Sequence, residues 1–138
     1  MRLVSFGILG SVLIAALFTA CAADVGPPGY QEAAREARAN MLSMKGRFFR
    51  RRIERDLKTA LRDIMERCYR VSRDTRGARL LLLINADGEL SRFLIYPESA
   101  FSSCISENLA IPKLVPPPEP DYWIKIQLAP HFRGITYN

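Results

Sequence analysis

Apolar residues recur at three- and four-residue steps at Phe49, Ile53, Leu57, Ala60, Leu61, Ile64, Cys68 and Val71. At about 100° per residue these positions fall within one arc of roughly 120°, which predicts an amphipathic helix with that face on a core. Upstream, Gln31 to Asn40 is rich in Ala, Glu and Arg, all good helix formers, so the helical reading runs over 31–73 with a break near Gly46. Glu54–Lys58, Asp63–Arg67 and Glu66–Arg70 are acid-to-base pairs four residues apart that support the helix. Asp74 to Gly77 ends it. Leu80 to Ile84 is then a continuous apolar run, suited to a strand covered on both faces and too short for a buried helix. Asn85-Ala86-Asp87-Gly88-Glu89 carries an Asp-Gly turn signal, and Leu90 to Tyr96 returns as a second strand that Pro97 stops. Glu98 to Leu109 reads as a short helix with Phe101, Cys104, Ile105 and Leu109 on one face and Ser99, Ser102 and Ser103 available as caps. The proline-rich stretch 111–120 predicts an extended connection. Tyr122, Ile124, Ile126 and Leu128 alternate with Trp123, Lys125 and Gln127, the pattern of a half-buried third strand over 121–129. The order predicts an α+β domain: long helix, β-hairpin, short helix, third strand, in a three-stranded antiparallel sheet with helices on one face.

Composition narrows the class. With 138 residues, 49% hydrophobic and 25% charged, the chain suffices for one small core and is too short for a TIM barrel. Behind Arg2, Leu3 to Phe18 is a 16-residue run without charge, followed by Thr19-Ala20 and Cys21. This reads as an export signal; an uncleaved membrane anchor is the alternative, the run lying near the lower limit for a span. Leu17-Phe18-Thr19-Ala20-Cys21 resembles a bacterial lipobox. The resemblance implies a signal peptide over 1–20, lipidation of Cys21 with acyl chains such as palmitate, and, from Ala22 at the next position, the outer membrane. Residues 22–30 then form a short tether, which reaches roughly 30 Å when extended. If Cys21 carries lipid, Cys68 and Cys104 remain as an even pair. An exported chain meets an oxidising compartment, so a Cys68–Cys104 disulfide is expected, with two buried free thiols as the alternative. Such a bridge closes a loop of about 37 residues, worth on the order of 3–4 kcal/mol in the chain-entropy model, and pins both helices to one sheet face.

Further residues resemble the TonB C-terminal-like family, in its cysteine-bearing AgmX/PglI-type branch. They are Ile64…Cys68-Tyr69 at the end of the long helix, Gly77-Ala78-Arg79-Leu80, and the hairpin Ile84-Asn85-Ala86-Asp87-Gly88-Glu89-Leu90. Ser99 and Cys104-Ile105 in the second helix complete the set. Ile111-Pro112 stands where the family usually shows an aromatic-Pro pair. The resemblance places the family-like domain at 49–130, preceded by an N-terminal helical extension at 31–48 and followed by a tail at 131–138. It implies a small periplasmic binding or scaffold module, with the third strand (Tyr122, Ile124, Ile126, Leu128) as a candidate edge for pairing with an envelope protein partner.

Candidate chemistry is sparse. His131 is the only histidine and lies beside the tail, so no metal, cofactor or general-base role is assigned to it. Turn formation explains Asp87 and Glu89, and Cys68 and Cys104 are not a C-x-x-C pair, which favours a structural bridge over a redox one. The expectation is a non-enzymatic protein with no catalytic residues and no small-molecule substrate. Charge is more informative. The formal net charge is +6, and residues 35–79 carry 15 basic against 6 acidic residues. Arg51, Arg55, Lys58 and Arg62 form a stripe opposite the apolar helix face. This stripe is either a solvated face or a contact for anionic lipid or cell-wall polymer. Export argues against nucleic acid as the partner despite the basic pattern. The two functional expectations are thus a lipid-anchored periplasmic binding module and a structural envelope lipoprotein held by its basic helix.

Overall fold

The computed structural model describes residues 26–74, 76–129 and 135–136. The leader, Cys21, His131 and most of the tail lie outside these residues. Along the chain run α1 (Tyr30–Leu42), α2 (Met44–Ser72), β1 (Ala78–Ile84), β2 (Leu90–Tyr96), α3 (Ala100–Asn108), β3 (Tyr122–Leu128) and β4 (Ile135–Thr136). The sheet is antiparallel, with spatial order β2-β1-β3-β4. The expected three-stranded sheet is therefore present with β1 at its centre. Part of the expected tail departs from that reading: Ile135 and Thr136 pair with Leu128 and Gln127 as a short fourth strand.

Side-chain alternation divides the sheet into two faces. Leu80, Leu82 and Ile84 of β1 join Tyr122, Ile124, Ile126 and Leu128 of β3 in the larger core. α2 closes this core with Phe49, Ile53, Leu57, Leu61, Ile64, Met65 and Cys68, and α3 with Phe101 and Ile105. These two helices share one face, as expected. The opposite face carries Leu81 and Trp123, with Leu83, Leu94 and Tyr96 at its margin, and α1 packs there through Tyr30, Ala33 and Ala37. Segment 31–48 is accordingly more than an extension, because its helix supplies the second cover that the apolar run of β1 requires.

The helix boundary is set by Ser43, not by Gly46. Ser43 leaves the helical region (φ −64°, ψ 153°), and its side chain accepts the Gly46 N–H at 2.9 Å, capping α2. Gly46 has a different task. A Cβ there would overlap the Asn40 carbonyl and crowd the Tyr122 hydroxyl, so its small size allows α1, α2 and β3 to meet closely. Two members of the predicted α2 face differ: Val71 is exposed and Ala60 is only half-buried, whereas Met65 is buried. Val71 lies about one turn past Cys68, the last buried residue of α2, so the period continues there but the burial does not. α3 begins with a reciprocal capping box, Ser102 N–H donating to Ser99 Oγ at 3.1 Å and Ser99 N–H to Ser102 Oγ at 2.7 Å.

Candidate functional site

Cys68 and Cys104 form a disulfide with a Cα–Cα distance of 5.5 Å and a sequence separation of 36. Cys68 ends the buried row of α2, and Cys104 lies half-buried on α3 against the same core. The bridge ties the two helices that cover one sheet face and leaves no free thiol among the described residues. Asn108 Nδ2 donates to the Cys104 carbonyl at 2.9 Å, closing the last turn of α3 beside the bridge.

The four side chains of the candidate partner strand, Tyr122, Ile124, Ile126 and Leu128, are buried in the larger core. None of them can serve a partner as a side-chain contact, so only the outer backbone edge of β3 could pair. β4 takes that side opposite Gln127 and Leu128. Nearer the start of β3, the Trp123 carbonyl accepts the Asn40 side-chain amide at 3.2 Å, and Tyr122 donates its hydroxyl to the Asn40 carbonyl at 3.0 Å. Burial pushes the Tyr122 phenol up, the Ser43 hydroxyl opposes that, and the Glu119 carboxylate adds to it.

All four members of the basic stripe are exposed on α2. Lys58 is paired with Glu54 at 2.6 Å and holds that carboxyl below its ordinary value. Arg62 is paired with Asp63 at 3.1 Å. Arg51 and Arg55 have no ion pair among the described residues. Half of the stripe is thus locally compensated, and its free positive charge gathers toward the start of α2, where Lys45, Arg47 and Arg52 are also exposed. Periodicity locates the stripe; the folded structure decides which members are paired.

A shallow groove between α2 and segment 110–113 is lined by Arg55, Asp56, Thr59, Ala60, Ile111 and Lys113. Among the described residues no group of three or more His, Cys, Asp or Glu side chains could hold a metal ion. No described helix is long and apolar enough to cross a membrane. No family model, curated protein or solved structure matches this chain.

Proposed function

We propose that the chain is a lipid-anchored module on the periplasmic side of the cell envelope, attached through Cys21 to the outer membrane, that binds a protein partner without catalysing a reaction. The observation that carries this reading is the Cys68–Cys104 bridge within a small mixed domain. Disulfides persist in oxidising compartments, which accords with a leader whose uncharged run from Leu3 to Phe18 is followed closely by Cys21. The body that follows is two packed cores on the two faces of one sheet. The TonB-like resemblance adds strand addition along β3 as the mode of capture. β4 already pairs opposite Gln127 and Leu128, so strand addition would use the stretch of β3 before Gln127.

Two measurements test the reading in cells that export the full chain. Palmitate labelling is expected in the parent and lost in Cys21→Ala; label retained in the variant overturns the anchor. A photo-crosslinking residue at Lys125 is expected to capture a discrete envelope protein, and one at Ser91 on β2 is not. Equal yields at the two positions, or no adduct at Lys125, count against pairing at β3.

A second reading, an envelope lipoprotein held to anionic lipid or cell-wall polymer by its basic helix, is favoured by the exposure of Arg51 and Arg55 without ion-pair partners. Reversing both charges tests it: the variant should leave the envelope surface at lower salt than the parent once the lipid attachment is removed.

A further inference from the structure

Three large apolar side chains stand in solvent around the α1–α2 corner: Leu42 is 70% exposed, Met44 68% and Phe48 60%. Met44 and Phe48 are four residues apart on α2, and they begin the line that Arg51, Arg55, Lys58 and Arg62 continue. At about 100° per residue all six positions share an arc of roughly 80°, opposite the core-facing row. The stripe therefore has an apolar tip and a basic shaft. Lys45, Arg47 and Arg52 surround the tip and are exposed.

Two local rules are broken at this one corner. Large apolar side chains cluster in water here, whereas elsewhere among the described residues only Val71 is comparably exposed. The first turn of α2 has no acidic residue and instead carries Lys45 and Arg47, although the helix dipole disfavours cations there. A face meant only for solvent requires neither feature. An anionic bilayer accommodates both, with apolar side chains at the headgroup–acyl boundary and cations among the phosphates. The corner is also held in shape. Ser43 caps α2, Gly46 permits the close turn, and the Asn40 carbonyl receives the Tyr122 hydroxyl. Little ordering is then left for the moment of docking.

We propose that the α1–α2 corner docks on an anionic phospholipid bilayer, seating Leu42, Met44 and Phe48 at the interface and placing Arg47, Arg51 and Arg52 on lipid phosphates. The proposal deepens the basic-helix reading and uses the proposed anchor at Cys21 only for proximity. Eight residues separate Cys21 from α1 and span at most about 28 Å, and α1 is about 20 Å long, so the corner lies within reach of the membrane that holds the lipid.

The test places a nitroxide at Phe48→Cys in the full, lipidated chain reconstituted into vesicles of phosphatidylcholine with or without phosphatidylglycerol. Asp87→Cys in the hairpin turn is the control position. Expected is a several-fold rise in the oxygen-to-nickel-chelate accessibility ratio at position 48 in the anionic vesicles only. The rise should disappear in Arg51→Glu with Arg52→Glu, and position 87 should stay aqueous throughout. An aqueous ratio at 48 on anionic vesicles overturns the proposal, and so does equal immersion in both vesicle types. If Phe48→Cys does not fold, Met44→Cys reports from the same line one turn earlier. Flotation of the chain with pure phosphatidylcholine vesicles scores the lipid anchor separately, so loss of one property is not mistaken for loss of the other.

Discussion

At Gly88 the chain adopts φ 85°, and its carbonyl accepts the Leu114 N–H at 2.8 Å. A Cβ at this position would overlap the Leu114 carbonyl. The residue thus joins two constraints, a left-handed turn conformation and a close approach by the proline-rich connection. Gly88→Ala is expected to destabilise the protein by about 1–3 kcal/mol, measured by urea unfolding with the disulfide intact, and an unchanged midpoint would refute this account. Tyr122 sets a second residue-scale expectation. Its phenol is raised by burial, so the neutral form belongs to the folded state. The associated stability is complete below the unfolded tyrosine value of about 10 and is lost as pH rises through the higher folded value. Tyr122→Phe removes the hydroxyl that reaches Asn40. It should cost about 0.5–1.5 kcal/mol at neutral pH, with a shallower alkaline decline than the parent. A parallel decline in both proteins would show that Tyr122 does not control it.

The disulfide belongs to the scale of elements, since it joins α2 to α3 across 36 residues of sequence. Converting Cys68 and Cys104 together to Ser should cost on the order of 3–4 kcal/mol by raising the entropy of the unfolded chain. The folded circular dichroism spectrum should persist at low temperature, because α2 still buries Phe49, Ile53, Leu57 and Leu61. A loss below about 1 kcal/mol would mean that the unfolded chain is already compact over this loop. The same elements show what the sequence could disclose. The α2 face was legible because large apolar side chains repeat with the helical period over several turns. The period misleads at Val71, because it carries no mark of where burial ends along the helix. The site of α1 was not legible, since its packing face is Tyr30 with Ala33 and Ala37, and alanines serve equally in an exposed helix. The run Leu80–Ile84 did call for a second cover, without saying which segment provides it. β4, two residues long, is too short for any alternation to show. The basic stripe could be read from spacing, and Met44 and Phe48 fall on the same line, whereas Leu42, on the other helix, is marked only by its failure to be buried.

In the whole molecule α1 holds a double position. It covers one face of the sheet, and it is the first described element after the segment that leads back to Cys21. Under the proposed function, any load between membrane and body passes through this helix, so its seating governs how firmly the body is oriented. That seating depends on close approach: Ala33 and Ala37 are buried against the face that carries Leu81 and Trp123. Asn40 at the far end hydrogen-bonds to Trp123. Enlarging the contact should push the helix off the sheet. Ala37→Leu adds volume where Ala37 is fully buried and is expected to cost about 1–3 kcal/mol through overpacking. Hydrogen exchange separates this from a general loss of stability. Amides of α1 should exchange faster in the variant at denaturant-free conditions, while those of β1 and of α2 between Ile53 and Cys68 keep the protection set by global unfolding. Uniform acceleration across both cores would instead make α1 part of one cooperative unit with α2 and α3. Unchanged exchange in α1 would mean that its alanines do not set the distance between helix and sheet.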